Sequence, residues 1–507
     1  MACGEVGERD KDPRVQVVPQ SKEIWGGMMD LQRGLVGLFA ALLAGGALAA
    51  DLSSFANNGY DNSLSTYQHP CAQHYQGTTY VAYQGPHEDP YVCAYDHAAG
   101  TWQGPVRAGV SELGRPHDAA QTGVADNHGR PALFVDRAGY IHLVFGGHGG
   151  WESLGENRLG TPGSGRQSHV VSKRPQDISE WEVLDNIDPF GTYSQFIEME
   201  DGDVYLFYRH GSHRSDWVYQ KSTDNCRTFA PAVSVLKHKA QAADPVTHDA
   251  WYAWFTEGAG DSIVVTYVYH PCKSVDHTKQ RVNLYFMRMQ CGDESWENIR
   301  GESLELPVIK EYADRTTLVL DTGDTRCKRL TCAVDPEGGA HIIFSLGGQV
   351  CYTRWLGDAW QTPVTVADAA GLGAKDGDII ADSPTDVRLL LSSPGGAGGT
   401  ALQWWKTADG GLTWARDALV AETETGGFRL GALVFRADPA AQVVFEGRDP
   451  AAAHLYRRLF MWGDQGFVGR PAAETATLDA ALEDLIRALP NEPVQPKRDR
   501  AAAGDDD

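Results

Sequence analysis

The sequence predicts an all-β fold, a seven-bladed β-propeller of four-stranded antiparallel blades followed by a short C-terminal helix. Three observations carry this. The first is a recurring strand. Runs rich in β-branched and aromatic residues begin at Tyr80 (YVAYQ), Tyr140 (YIHLVF), Val204 (VYLFY), Ile263 (IVVTYVY), Ala340 (AHIIF), Val387 (VRLLL) and Ala441 (AQVVF), 47 to 77 residues apart. Such runs read as strands, and their spacing is near the length of one blade with its loops. The second is the turn that precedes several of them. Asp136 to Gly139 (DRAG) and Asp201 to Asp203 (DGD) mark hairpins, so each run reads as the second strand of a hairpin. The third is a turn of fixed pattern. Thr407 to Trp414 (TADGGLTW) matches the Asp box, Ser/Thr-x-Asp-x-Gly-x-Thr-Trp, over its whole length, and Ser222 to Phe229 (STDNCRTF) matches except that Cys226 replaces Gly. There the Asp caps backbone N–H groups, Gly permits a positive φ and the aromatic packs beneath, so the box marks architecture and not a reactive centre.

Composition bounds the rest. A chain of 507 residues, 42% hydrophobic and 10% aromatic, can bury a large core, and its 56 glycines keep no period of three, which excludes a collagen-like chain. The formal charge of −23 argues against nucleic acid or an anionic membrane surface as partner, and any anionic substrate must meet a locally basic pocket. Leu35 to Ala50 is an apolar run with Arg33 before it, the small-residue triplet Ala47, Leu48, Ala49 at its end, and polar Asp51, Ser53 and Ser54 directly after. That is the pattern of a secretory signal peptide, too short and wrongly flanked for a membrane span.

The expected organisation is therefore a mis-assigned extension over 1–28, upstream of a better start at Met29, and a signal peptide over 29–50, cleaved after Ala49 or Ala50. A propeller follows over 51–470, then a helix over 471–490 and a disordered tail over 491–507. The product would be secreted or periplasmic, monomeric and free of the membrane once the signal is removed. Leu478, Leu482, Leu485, Ile486 and Leu489 share one face of the helix, which Pro490 ends. Cys3 precedes the signal. The remaining Cys71, Cys93, Cys226, Cys272, Cys291, Cys327, Cys332 and Cys351 permit disulfides in an exported chain, with Cys327 and Cys332 a candidate pair.

Residues equally far before and after a hairpin turn meet at its open end. His128 and His148 are symmetric about residue 138, Tyr193 and Arg209 about residue 201, and Tyr252 and His270 about residue 261. Hairpins of consecutive blades should raise these open ends on one rim, bringing two histidines, two tyrosines and an arginine together. Taken singly, each is equally a hydrogen-bonded rim residue, and Arg209 equally the partner of a neighbouring carboxylate. His213, His270, Cys272 and His277 offer ligands suited to a structural zinc; otherwise Cys272 is a disulfide half or a buried thiol. The loop Gly149 to Gln167, rich in Gly and charge, is expected to shape a cleft.

The segments DNHGRPALFVDRAGYIHLVFGGHGG (Asp126 to Gly150) and GTYSQFIEMEDGDVYLFYR (Gly191 to Arg209) resemble propeller proteins with bacterial-neuraminidase-type repeats, and among these the propeller-fold ulvan lyases. The resemblance covers most of the chain by blade pattern and is specific from about Asn127 to Cys272. It implies an active site of His128, His148, Tyr193 and Arg209, joined by Tyr252 on the following blade, and a structural metal beside Cys272; Asn127, Tyr252 and Arg214 are the candidate substrate contacts. It also implies an anionic, uronate-containing and sulfated polysaccharide as substrate, with no catalytic cofactor. His213 and Arg214 could meet sulfate or equally be solvated rim charges.

Those residue types suit a lyase. β-Elimination removes the weakly acidic C5 proton beside a carboxylate and expels the oxygen at C4. Arg209 can neutralise the carboxylate through two oxygens. Tyr193 is the candidate base, its phenol acidified by nearby cations, and could return the proton to the leaving oxygen. The histidines either share the proton transfer or bind the carboxylate. Two other readings stand beside this one. One is a non-catalytic glycan-binding propeller. The other is a sialidase-like hydrolase, suggested by the Asp boxes, although the Arg-Ile-Pro motif of sialidases is missing from the sequence.

Overall fold

The computed structural model describes residues 53–65, 67–113, 125–239, 249–272, 281–366, 377–395, 399–423, 427–448 and 454–488. The expected extension, signal peptide and tail, together with His277, Leu489 and Pro490, lie outside the described residues.

Every recurring run is a strand paired antiparallel with the strand before it. Seven separate blades do not result. The strands of the described residues fall into six sheets, one of nine strands and five blades, of which four are four-stranded and one is six-stranded. The cause is that strand spacing counts hairpins and is blind to where sheets end. Ala72–Tyr75 meets Gly427–Asp438 through the parallel pair Gln73–Phe435, and Ala56–Tyr60 pairs antiparallel with Tyr456–Gly463. The first and last hairpins therefore run on as one sheet, which ties the two ends of the strand array together. The six-stranded blade gains the short strands Ser303–Leu304 and Leu318–Leu320.

Large aromatics hold neighbouring blades in place. Phe207 and Phe255, from consecutive blades, stack with centroids 4.0 Å apart, in a cluster that also buries Trp217, Trp251, Tyr267 and Tyr285 completely. Each such side chain contributes about 1.5–3 kcal/mol on burial.

Both Asp boxes form the same turn. Asp224 accepts from the backbone N–H of Thr228 (2.8 Å) and from its hydroxyl (2.7 Å), and Asp409 does the same for Thr413 (2.9 and 2.6 Å). Gly411 and Cys226 occupy equivalent places with φ of +82° and +60°.

Two expectations about termini and thiols can be set against this fold. Cys327 and Cys332 lie on one strand, Cys327–Val334, and are free thiols, as are Cys71, Cys93, Cys226, Cys291 and Cys351. The candidate pair fails because both residues belong to one extended segment, whose rise of about 3.3 Å per residue keeps residues five apart beyond disulfide reach. At the C-terminus a helix spans Ala472–Ala488, and its Leu482, Leu485 and Ile486 pack against Tyr60 and Tyr456. Among the described residues no helix is long and apolar enough to cross a bilayer.

Candidate active site

The hairpin of Ala132–Val135 and Ile141–Phe145 runs in the register Ala132↔Val144 to Val135↔Ile141, symmetric about residue 138. Its ladder continues past the strands through the Gly146 N–H to the Gly129 carbonyl (2.8 Å). His128 and His148 thus arrive together at the open end, their rings stacked with centroids 3.8 Å apart and planes 13° from parallel. His128 sits in the short 3₁₀ turn Asn127–Gly129, which Asp126 caps by accepting the His128 backbone N–H (3.1 Å). The same carboxylate receives both rings, Oδ1 lying 2.7 Å from His128 Nδ1 and Oδ2 2.6 Å from His148 Nδ1. Burial alone would raise the Asp126 carboxyl, but the two imidazoles outweigh it and hold the group well below the usual range. Burial, with His128 alongside, lowers the basicity of His148. The glycines around His148 have a steric reason. A Cβ on Gly147 would collide with the Gly191 carbonyl, so the loop leading into Tyr193 closes directly onto this segment.

In the next blade the register of Thr192–Glu198 against Val204–Arg209 is symmetric about residue 201 from Gln195↔Phe207 to Glu198↔Val204, then shifts, so that Arg209 pairs with Thr192. Tyr193 lies in that bulge with a left-handed φ of +62°, a conformation that costs a non-glycine residue about 1–2 kcal/mol. A bulge re-aims its side chain. Tyr193 consequently reaches the histidine pair, 5.3 Å from the His128 ring between centroids, while the Arg209 guanidinium stands 4.9 Å from the Tyr193 ring and 5.7 Å from that of Tyr252. Arg209 is 1% exposed, and its Nε and Nη1 have no hydrogen-bond partner among the described residues. A buried guanidinium with donors unspent is suited to an anion.

The structure thus gathers His128, His148, Tyr193, Arg209 and Tyr252. Tyr252 comes by a different register from the one expected. Asp249–Glu257 and Ser262–Pro271 pair as Tyr252↔Val268 and Ala250↔His270, symmetric about residue 260, so Tyr252 and His270 are not opposite each other. A one-residue error in the centre of the polar turn displaced the partner by two. Asn127 is buried and engaged with the fold, its Nδ2 donating to Asp61 (3.3 Å) and its Oδ1 accepting from Gln84 (3.4 Å). Arg214 is half-buried on the loop after Arg209, with φ of +66°.

Sequence symmetry missed four members of this site. Asp126 carries the histidines, and the only local signal was its cap position two residues before His128. Tyr67 packs edge-on against Tyr193 at 4.9 Å; burial, then Tyr193, push its phenol well above the ordinary value, so it stays protonated. Arg281 lies 3.9 Å from the Tyr252 ring and Trp217 stacks parallel to Tyr193 at 6.3 Å. Tyr67 enters from a segment before the first hairpin, where no repeat could place it.

His213, His270 and Cys272 form a buried group of potential ligands within 4.8 Å of one another, His213 Nε2 lying 2.9 Å from Cys272 Sγ. Two imidazoles and a thiol suit zinc, which takes four such ligands. Asp126, His128 and His148 are also close together, with both ring Nδ1 atoms in hydrogen-bond contact with the carboxylate.

Residues 78–366 match the family described as BNR repeat-containing family member. The chain is 38% identical over 446 residues to an ulvan lyase of Nonlabens ulvanivorans, covering 85% of this chain and 93% of that protein. It is 41% identical over 440 residues to an ulvan lyase-PL25 of Pseudoalteromonas sp. (strain PLSV), covering 83% and 88%. Among solved structures, a PL25 ulvan lyase bound to -[GlcA(1-4)Rha3S]- is similar with a TM-score of 0.77 and 40% identity over 84% of this chain and 99% of that one. The polysaccharide lyase Uly1, 14% identical over 82% of this chain and 93% of its own, shares the fold with a TM-score of 0.56.

Proposed function

The chain belongs to the ulvan lyases of polysaccharide lyase family PL25, and we propose that it is a secreted enzyme that cleaves ulvan, a sulfated uronate glycan, by β-elimination at the His128–His148–Tyr193–Arg209 cluster. The observation that carries the site is the buried Arg209, its donors unspent, set 4.9 Å from the Tyr193 ring beside the stacked histidines. Arg209 binds the uronate carboxylate and stabilises the charge that develops on it as C5 loses its proton. Tyr193 takes that proton, the C4–O bond breaks as the C4=C5 double bond forms, and the same phenol protonates the departing oxygen. His128 and His148 share in the proton transfer and hold the sugar from the other side. Arg214 meets sulfate, and Asn127 and Tyr252 line the sugar site. The net charge of −23 makes this local basic cluster the place where a polyanion can dock.

Incubation with ulvan should give the ultraviolet absorbance of an unsaturated uronyl product. The signal should vanish in Tyr193→Phe and His128→Ala. New reducing ends without unsaturation would replace elimination by hydrolysis, and binding without turnover would make the protein a lectin-like module.

The His213, His270 and Cys272 group, with His277, is proposed to hold a structural zinc. Metal analysis of purified protein should find about one zinc per chain at such a four-ligand site, and a stable metal-free preparation would rule it out. Export is supported by the sequence pattern of Leu35 to Ala50, and N-terminal sequencing of the secreted product should begin at Ala50 or Asp51.

A further inference from the structure

Asp126 touches both histidines, and the reading of the site above gives it no part in the reaction. We propose that Asp126 is a positioning residue that fixes His128 and His148 in a single tautomer, each with its proton on Nδ1, so that both rings exchange protons through Nε2. The inference rests on that reading for its kinetic arm only.

An ionised carboxylate has no proton to give, so a ring nitrogen 2.6 or 2.7 Å from it must be the donor. Two such contacts from one carboxylate assign both rings alike. The stacking at 3.8 Å adds a second constraint. Two imidazolium charges that close repel each other, and the Arg209 cation adds to the repulsion at His148. Among the described residues, the groups facing the unit include Tyr193 and Arg209 beside the rings and Glu88, whose Oε1 accepts the Asp126 backbone N–H at 2.9 Å. Arg209 disfavours a second positive charge, and Glu88 holds the backbone of the cap.

Asp126→Asn separates this role from a structural one. Asparagine is as good a cap as aspartate and keeps the bond to the His128 backbone N–H. Its side chain, however, accepts through Oδ1 and donates through Nδ2. One ring keeps Nδ1–H, and the other must offer a lone pair at Nδ1 and move its proton to Nε2.

The protein labelled with ¹⁵N-histidine, the two signals being assigned by loss in His128→Gln and His148→Gln, should show both rings as the Nδ1–H tautomer. Asp126→Asn should convert one of them. The thermal midpoint should stay within about 2 °C, because the cap survives. On ulvan, kcat/KM should fall about 10–100-fold, mainly in kcat, as expected when a proton-transfer group is misassigned. The limb of the pH profile that follows His148 should move to lower pH, because the Asp126 charge that favours its imidazolium is gone. Asp126→Ala should lose the cap as well and lower the thermal midpoint.

An Nε2–H tautomer on either ring of the native protein would overturn the proposal. So would an Asn variant that keeps both rings as Nδ1–H, or one whose lost rate is matched by lost folded protein with an unmoved pH profile. The tautomer measurement needs no turnover. A protein that passes it yet fails to cleave ulvan would sink the proposed substrate and leave the role of Asp126 standing.

Discussion

The hairpins set aspartate beside histidine at both of their ends, and the two ends use the pair differently. At the turn end, Asp136 caps its own turn by accepting from Ala138 (2.9 Å) and Tyr140 (2.8 Å) through Oδ1, while Oδ2 faces His142 Nε2 at 3.4 Å. His142 Nδ1 lies 3.0 Å from His169 Nε2, and His169 Nδ1 lies 2.8 Å from Asn186 Oδ1. A later blade repeats the device. Asp335 caps its turn, meets His341 Nε2 at 2.9 Å, and the Tyr352 hydroxyl is 2.6 Å from His341 Nδ1. Both nitrogens of these rings are used inside the core. At the open end, Asp126 engages Nδ1 of each ring. A histidine held through both nitrogens inside the core braces the fold, whereas the open-end pair lies beside Tyr193 and Arg209, where a ring can carry a proton to a substrate.

The steepest test of this contrast is kinetic. At the open end, Tyr193→Phe, His128→Ala and His148→Ala should each lower kcat/KM on ulvan by about 10²–10⁴-fold, with little change in thermal midpoint. At the turn end, His142→Ala should leave kcat/KM per folded molecule unchanged. Equal losses of turnover at the two ends would erase the distinction.

The next effect is on stability. His169 is completely buried between His142 and Asn186. Its replacement by Ala leaves a cavity and strands both partners, at a cost of about 2–4 kcal/mol, readable as a lower urea midpoint. A midpoint equal to that of the native protein would show that the chain of rings is dispensable.

The same burial sets a pH dependence. Desolvation pulls His169 down to about 3, and it also lowers His142 and His341. In the unfolded chain these imidazoles take up protons below about 6.5. Between that pH and the depressed folded values the unfolded state binds more protons, so stability is complete above about 6.5 and declines as the pH falls. The urea midpoint should therefore drop between pH 7.5 and pH 5, and the drop should shrink in His341→Phe. An unchanged midpoint over that interval would show these rings to be charged in the fold.

How much of this was legible in the sequence follows from what sets each feature. Hairpins were legible because strand composition and turn residues are local, and so His128 and His148 could be paired across residue 138. Tyr193 was found, although its exact pairing was not, because a bulge shifts the register without leaving a sequence mark in Thr192 to Gln195. The polar turn after Glu257 has several possible centres, and choosing residue 261 in place of 260 misplaced Tyr252 by two. Sheet boundaries depend on Gln73 meeting Phe435, residues 362 apart, and no local pattern reports such a contact. Asp126, Tyr67 and Arg281 reach the site from a cap, an entry segment and the residue just before the third strand of another blade, outside the hairpin symmetry altogether.

The two Asp boxes supply the smallest and most discriminating test of the turn end. They lie there because the strands that lead into them return from the open end, as Val204↔Ser222 and Val387↔Thr407 show. Identical capping surrounds different residues at the left-handed position. Gly411 has the Tyr352 ring directly where a Cβ would sit, so Gly411→Cys should destabilise by about 2 kcal/mol or more through overpacking and backbone strain. Cys226 is fully buried, in a cluster with Phe134, Phe196, Tyr208 and Val218. Cys226→Gly relieves left-handed strain of about 1–2 kcal/mol and forfeits burial of a small side chain worth about 1 kcal/mol, so the midpoint should move by less than about 1 kcal/mol. Both variants should cleave ulvan at the native rate. A loss of turnover in either would mean that the turn end communicates with the open end, since neither residue touches the histidine pair or Arg209.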